Sequence, residues 1–174
     1  GEMIDDLLAY SRNRNAKPTK SLINSHDLVL SILNEFKESH PQQKISWELD
    51  LIPDCMADSR MLRLVWENLI SNAVKYSSKK EKTLIRIKAD ERKEEVIFSI
   101  HDNGAGFDSA FANKLFTVFQ RLHNRDEFPG YGIGLANVAR MIQHHEGRIW
   151  GESVLGEGAS FYFSIPKEHQ HKYA

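Results

Sequence analysis

Two asparagines and a lysine recur at helical spacing in one stretch of the 174-residue chain, Glu67–Tyr76. Asn68 and Asn72 are one helical turn apart and Lys75 follows a further turn on, so a helix places all three on one side. An amide oxygen is a hard ligand that suits Mg²⁺, and an ammonium group suits a phosphate. The spacing indicates a metal and phosphate site, while a helix whose polar side is simply solvated explains the same residues as well.

A second stretch, Asp102–Gly106 with the sequence DNGAG, combines an acid with two glycines. It follows an apolar segment, Val96–His101, that predicts a strand ending at the acid. The glycines let the backbone turn sharply and approach a ligand, and the Asp102 carboxylate can accept a hydrogen bond from the amino group of a base. Since Asp, Asn and Gly are also the usual residues of plain turns, this motif alone leaves both interpretations open.

A third stretch, Gly130–Leu135 with the sequence GYGIGL, places glycines before a predicted helix. Glycines at a helix start leave backbone N–H groups able to hold phosphate, and the helix dipole adds to the attraction. The context excludes a dinucleotide-binding fingerprint. In that fingerprint the glycines directly follow a strand, whereas the glycines of this chain follow a polar segment, Gln120–Tyr131. The Lys-Ser/Thr pair of a phosphate-binding P-loop is absent as well.

Periodicity elsewhere predicts the elements that must position these residues. Asp58 is a predicted N-cap for a long helix that ends near Tyr76. The other predicted helices span residues 3–12, 26–36 and 134–145, and the predicted strands span 45–49, 84–89, 96–101, 148–152 and 160–165. The core face of the long helix is predicted to consist of Leu62, Val65, Leu69, Ala73 and Tyr76. Mixed helices and strand hairpins predict an α+β fold, a two-layer α/β sandwich with a mixed, mostly antiparallel sheet and helices packed on one face.

Composition excludes several classes of protein. The 23 basic residues nearly balance the 24 acidic ones, which argues against a general nucleic-acid or anionic-membrane binder. The single cysteine, Cys55, permits no internal disulfide, so a reducing cytoplasm is the expected location. No apolar run approaches the roughly 20 residues that a membrane helix needs, although a full-length protein could carry membrane or sensory segments upstream.

The order of the motifs resembles the catalytic domain of sensor histidine kinases, a branch of the ATPase family that includes gyrase, heat-shock chaperone and mismatch-repair proteins. The resemblance covers about Ser25 to Pro166. The matched motifs are an N box at 68–76 (NLISNAVKY), glycine boxes at 102–106, at 130–135 and at 156–158 followed by Ser160-Phe161, and an F box at Phe116–Phe119. The resemblance implies a domain that binds ATP or ADP together with Mg²⁺.

The same resemblance implies a role for each matched residue. Asn72 would ligate the Mg²⁺ that bridges the ATP phosphates, with Asn68 supporting it, and Lys75 would contact phosphate. Asp102 would accept the adenine amino group, and Tyr76 would line the adenine pocket or belong to the core. The remaining assignments are the base-side glycines Gly104 and Gly106, the phosphate-side residues Gly130, Gly132, Gly134 and Leu135, an ATP lid at Gln120–Tyr131, and Arg121 at the γ-phosphate.

One position separates the branches of this family. Members that hydrolyse ATP carry a glutamate one turn before the metal asparagine, as the base that activates water, and here that position is Asn68. An amide is a poor proton acceptor, so phosphoryl transfer to another acceptor is favoured over hydrolysis. Glu67 is offset by about 100° around the helix and points elsewhere.

The resemblance also divides the chain. Residues 1–14 resemble the end of the second helix of a kinase dimerisation domain, 15–24 are a predicted linker, 25–166 the catalytic domain and 167–174 a tail. The phosphoacceptor histidine is expected on the missing partner helix. His26-Asp27-Leu28 is rejected as an acceptor motif, because it lies where the catalytic domain's own first helix begins.

The predicted function is therefore the ATP-binding catalytic domain of a two-component kinase. The implied partners are its own dimerisation domain, a cognate response regulator and, in the full-length protein, a second subunit of a homodimer. The alternatives are a pseudokinase-like scaffold that binds nucleotide without catalysis, and an ATPase of the wider family. Two short segments, Arg121-Leu122-His123 and Gly147–Glu152, resemble the corresponding segments of kinases that receive their signal from phytochrome or related sensor domains.

Overall fold

The computed structural model of the protein describes Leu8 and residues 17–117 and 134–168. The strands are β1 (Lys20–Ile23), β2 (Ile45–Leu49), β3 (Cys55–Asp58), β4 (Thr83–Glu91), β5 (Glu95–Asp102), β6 (Ile149–Val154) and β7 (Gly158–Pro166). The helices are α1 (Ser25–Ser39), α2 (Ser59–Tyr76) and α3 (Gly134–His144), and a 3₁₀ helix spans Ser109–Lys114. Within these described ranges, no helix is both long and apolar enough to cross a membrane.

Five strands form one sheet in the order β2-β4-β5-β7-β6. Strand β2 runs parallel to β4, and the other neighbours are antiparallel. Because side chains alternate along a strand, the register places one apolar row of β5 opposite an apolar row of β7. The paired residues are Val96 with Ile165, Phe98 with Phe163, and Ile100 with Phe161. The predicted α+β sandwich with a mostly antiparallel mixed sheet is confirmed.

The apolar rows of the sheet pack against the helices. Trp66 of α2 is fully buried and meets Phe98 and Phe163 edge-on, with ring centroids 5.9 Å and 5.0 Å away. Phe98 and Phe163 stack on each other at 5.2 Å. Aromatic contacts of this geometry add to the gain from apolar burial, so this cluster fixes α2 on the centre of the sheet.

Local sequence explains where α2 begins and ends. The Asp58 side chain accepts from the Met61 N–H, as predicted for an N-cap, and the helix ends at Tyr76. Of its predicted core face, Tyr76 is only half-buried, because it lies at the border of the buried stripe. The fully buried residues of the helix are Met61, Leu62, Val65, Trp66, Leu69, Ile70, Ala73 and Val74.

The chain also contains a two-stranded ribbon that periodicity did not predict. Strand β1 pairs antiparallel with β3, from Lys20 opposite Asp58 to Ile23 opposite Cys55. Strand β1 lies inside the range 15–24 that was predicted as linker, so the chain is already part of the folded unit at Lys20. Both strands are four residues long, too short for an alternating pattern to be recognised. The proposed domain division stays a prediction.

Several predicted features lie outside the described residues. They are the helix at 3–12 apart from Leu8, the end of the F box at 118–119, the lid at 120–131 with Arg121 and Gly130, the following Gly132, and the tail from residue 169.

Candidate functional site

The polar side of α2 carries the residues predicted to hold metal and phosphate. Asn68, Asn72, Lys75 and Tyr76 are half-buried and lie beside the buried stripe of the helix. The Asn68 amide nitrogen donates to the carbonyl oxygen of Leu64 over 2.8 Å, and the Lys75 ammonium group lies 5.1 Å from the centroid of the Tyr76 ring. The second half of α2 therefore presents two amides and one ammonium group on the same side.

The described start of α3 packs directly on this side of α2. A Cβ atom at Gly134 would lie 2.9 Å from Asn68 Oδ1, so a side chain there would press on the amide. Leu135 is half-buried and packs against the core cluster. The amino end of a helix attracts anions through its unpaired N–H groups and its dipole. A phosphate at the start of α3 would meet these groups.

Asp102 ends β5 on the helix-facing side of the sheet, opposite Ile85 in the register with β4. Its Oδ1 atom accepts from the backbone N–H of Gly104 over 2.8 Å and from that of Ala159 over 3.2 Å. Within the described ranges, no donor reaches the other carboxylate oxygen, Oδ2. The carboxylate is thus anchored by one oxygen and can accept from a ligand with the other.

Burial perturbs the acidity of this group. Removal from water raises the pKa of Asp102 to about 6, and the bonds from Gly104 and Ala159 offset only part of this effect. Burial also lowers the pKa of the neighbouring His101, whose ring nitrogens lie 2.7 Å from Ser160 Oγ and 3.0 Å from Ser99 Oγ on the opposite face of the sheet. A buried acid with a raised pKa and one uncommitted oxygen has the properties of a ligand-binding group.

The glycines around Asp102 are required by close backbone contacts. A Cβ atom at Gly104 would lie 2.5 Å from the carbonyl oxygen of Tyr76, and the N–H of Ala105 donates to that same oxygen over 3.0 Å. Gly158 has a φ of +114°, and a Cβ atom there would overlap the carbonyl group of Asp102. These contacts join the end of α2 to the first and third glycine boxes.

The turn between β6 and β7 closes over the first glycine box. The N–H of Gly156 donates to the carbonyl oxygen of Ala105 over 2.7 Å, and the Lys80 ammonium group donates to the carbonyl oxygen of Gly156 over 3.1 Å. Gly106 has a φ of +67°, and a Cβ atom there would overlap the carbonyl group of Val154. Gly104 and Gly106, which were predicted to lie on the base side, therefore belong to a wall built from three separate parts of the chain.

Sequence reasoning missed three residues that hold this wall. The Asn103 side chain accepts from the N–H of Leu84 over 2.9 Å and donates to the carbonyl oxygen of Lys82 over 2.8 Å. Ser153 Oγ accepts from the N–H of Phe107 over 2.8 Å and donates to a second backbone group. The Ala159 N–H reaches Asp102 from another strand. Asn103 stood inside a recognised motif, whereas Ser153 and Ala159 act through contacts distant in sequence that leave no local signal.

The structure brings most of the predicted site residues together and leaves some undescribed. Asn68 meets Gly134, and Tyr76 meets Gly104 next to Asp102. Arg121, Gly130, Gly132 and the lid lie outside the described ranges. The groups present suit an adenine nucleotide with Mg²⁺: an uncommitted carboxylate oxygen for an amino group, amide oxygens for a hard cation, and an ammonium group with a helix start for phosphates.

Known proteins resemble this chain in sequence. Residues 57–169 match the family model described as histidine kinase-, DNA gyrase B- and HSP90-like ATPase. The chain is 41% identical to cyanobacterial phytochrome A of Nostoc over 94% of its own length and 21% of that protein. It is 37% identical to the phytochrome-like protein Cph1 of Synechocystis over 94% of its length and 22% of that protein. It thus spans about a fifth of these relatives.

A solved structure agrees with the sequence relatives. Full-length ShkA in complex with AMPPNP superposes with a TM-score of 0.79 at 25% identity, covering 94% of this chain and 35% of ShkA. The family model and the phytochrome relatives confirm the resemblance carried by the N box and the glycine boxes. The chain belongs to the family of histidine kinase-, DNA gyrase B- and HSP90-like ATPases, as a catalytic domain of the histidine-kinase branch.

Proposed function

We propose that this domain binds ATP with Mg²⁺ and transfers the γ-phosphate to a histidine on a dimerisation domain. Asn72 would ligate the cation with support from Asn68. Lys75, Arg121 and the start of α3 would neutralise phosphate charge, with the backbone at Gly130, Gly132, Gly134 and Leu135 on the phosphate side. The cation, when bound, would offset charge on the phosphates during transfer.

The observation that carries this proposal is the anchoring of Asp102. Two backbone N–H groups fix Oδ1, so the orientation of the carboxylate is set before a ligand arrives. The adenine amino group donates to such an oxygen, whereas guanine presents a carbonyl oxygen at the same position and would be repelled. Tyr76 and Gly104 would form the wall along the base.

Nucleotide binding is tested by thermal unfolding with Mg-ADP, Mg-ATP and their guanine counterparts. Ligand at about 100 times its dissociation constant adds about 2.7 kcal/mol, which corresponds to a rise of about 5 to 10 °C for a domain of this size. Asp102→Ala should remove most of the rise. Equal stabilisation by adenine and guanine nucleotides would contradict the assignment of Asp102.

Transfer rather than hydrolysis is supported by Asn68. Its side chain is an amide whose nitrogen is bound to the Leu64 carbonyl oxygen, so the residue offers no base for activating water. The expected steady release of phosphate from ATP by the isolated domain is close to background. Release that is sustained without any added acceptor, and that disappears in Asn72→Ala, would favour the ATPase alternative.

The acceptor and partners complete the proposal. The domain incubated with labelled ATP should stay unlabelled. Addition of the matching dimerisation domain with its histidine should give acid-labile label that Asn72→Ala abolishes.

The phosphoryl group would pass on to a cognate response regulator, within a homodimeric protein located in the cytoplasm. The phytochrome relatives make a phytochrome-type sensor domain the first input to examine. Acid-labile phosphate on His26 of the domain alone would overturn the rejection of that histidine.

A further inference from the structure

Asp58, the last residue of β3, is bound by three other parts of the chain. Its Oδ1 atom accepts from the Met61 N–H over 3.1 Å as the cap of α2, and its Oδ2 atom accepts from the Thr19 N–H over 2.8 Å. Its own N–H donates to His145 Nε2 over 2.9 Å. One residue therefore contacts the chain as it enters the domain, the start of α2 and the end of α3.

The His145 ring is held in one tautomer. Its Nδ1 atom lies 2.7 Å from the Met141 carbonyl oxygen, so Nδ1 carries the hydrogen and Nε2 offers a lone pair to Asp58. The residue is only 2% exposed, and burial lowers the pKa of its imidazole. The charged or titratable groups that face it are Lys20 of β1, Asp58 of β3 and His144 of α3. A protonated ring would direct an N–H at an N–H and lose the contact.

The two helices are thereby fixed to each other at both ends. The start of α3 packs on Asn68 through Gly134, and the residue after its end binds Asp58. The helices therefore run antiparallel over about ten residues of α2, or about 15 Å. With both ends held, a displacement of α3 at its nucleotide end is passed to Asp58 along a regular helix.

We propose that Asp58 and His145 are positioning residues that couple the chain entering the domain at Thr19 to the nucleotide site about 20 Å away along α2. The inference rests on the proposed function, since it assigns the Asn72 and Gly134 region to nucleotide. Nucleotide that holds α3 against α2 stabilises the Asp58–His145 bond and with it the Thr19 contact. Coupling is reciprocal, so an ordered entering segment also raises nucleotide affinity.

Two substitutions separate the coupling from simple helix capping. Asn caps helices as well as Asp does, so Asp58→Asn keeps the bond from Met61 but replaces the oxygen that accepts from Thr19 with an amino group. His145→Gln keeps a neutral acceptor for the Asp58 N–H, whereas His145→Ala removes it. Asn24→Asp, which alters the cap of α1 and leaves Asp58 untouched, is the matched control.

Amide hydrogen exchange with and without saturating Mg-ADP tests the proposal. In the wild type and in Asn24→Asp, the nucleotide should slow exchange of Thr19 and Asp58 by about fivefold or more. Asp58→Asn should abolish the effect at Thr19 and keep it at residue 58, whose backbone N–H still donates to His145. His145→Ala should abolish the effect at Asp58, and His145→Gln should restore it. Bound Mg-ADP that leaves Thr19 and Asp58 unchanged overturns the coupling alone. Failure of Mg-ADP to bind overturns the proposed function and the coupling with it.

A second measurement needs no nucleotide. Lowering the pH from neutral toward about 4 should speed exchange at Asp58 and Thr19 together in the wild type, because a protonated His145 cannot accept. Asp58 itself stays ionised in this range, since its pKa is lowered from 3.8. His145→Gln should show no such acid-induced opening after correction for the intrinsic pH dependence of exchange. Identical pH profiles in the wild type and His145→Gln would overturn the role of the ring as the acceptor that links the two segments.

Discussion

Asp102 shows how one residue can serve both the fold and a ligand. Its Oδ1 atom joins β5 to β7 through the Ala159 N–H and closes the turn to Gly104, while Oδ2 stays uncommitted within the described ranges. The raised pKa is the cost of burying that carboxylate with few donors. A ligand that donates a hydrogen bond to Oδ2 would stabilise the charged carboxylate and lower its pKa.

We expect nucleotide binding to expel a proton from Asp102. Since its pKa is about 6 in the free protein, Mg-ADP affinity should rise between about pH 5 and 7 and then level off. Calorimetric titration in two buffers of different ionisation enthalpy measures the released proton. Asp102→Asn should bind at least about tenfold more weakly, with a flat pH profile. A flat profile in the wild type would contradict this.

The raised pKa of Asp102 also determines how the free energy of unfolding of the free protein depends on pH. The folded chain holds the Asp102 proton more tightly than the unfolded chain, whose pKa is near 3.8. The contribution of this residue to the free energy of unfolding is therefore full below about pH 4 and is lost as the pH rises to about 6.

Two glycines of the third glycine box offer a matched pair of substitutions. Gly156 and Gly158 have φ angles of +83° and +114°, but only at Gly158 would a Cβ atom overlap the Asp102 carbonyl group. Gly156→Ala should cost about 1 kcal/mol from backbone strain. Gly158→Ala should cost clearly more and weaken Mg-ADP binding, as urea unfolding and calorimetry would measure. Equal costs would contradict the steric explanation.

At the scale of elements, the loops near the site are held in place by side chains that form hydrogen bonds with backbone groups. Asn103 fastens the first glycine box to the start of β4 through Leu84 and Lys82. Asn103→Ala should lower the free energy of unfolding by about 1 to 2 kcal/mol, measured in urea. Asn103→Asp keeps the acceptor for Leu84 but turns a carboxylate oxygen toward the carbonyl oxygen of Lys82, so a loss is expected here too. No loss in Asn103→Ala would show that water replaces both bonds.

The elements that sequence predicts best are those with local signals. Asp58 and the apolar stripe of α2 define that helix without reference to the rest of the chain. The hairpin of β4 and β5 follows from two predicted strands that are close together in the sequence. Strands β1 and β3 escaped prediction because their pairing joins Lys20 to Asp58 across 38 residues of sequence. Likewise, DNGAG identifies Asp102, but its anchoring by Ala159 requires the sheet to form.

At the scale of the whole molecule, stability should be highest at the centre of the sheet. Strands β5 and β7 are neighbours there and contribute Phe98 and Phe163 to the cluster around Trp66. Their amides should exchange only through global unfolding, and those of the β1–β3 ribbon much sooner. Native-state hydrogen exchange at low denaturant would measure both. Ribbon amides as slow as those of β7 would contradict this order.

The position of β7 inside the sheet also affects when the protein can fold during its synthesis. Strands β5 and β7 are adjacent in the sheet, yet 55 residues separate the end of one from the start of the other. A chain still emerging from the ribosome has completed α2 and Asp102 long before Gly158 and Ala159 appear. The wall around Asp102 is incomplete until then, so a nucleotide that binds as proposed could not act as a folding template for the early part of this domain. Nucleotide can stabilise only a chain whose last described strand has joined the sheet.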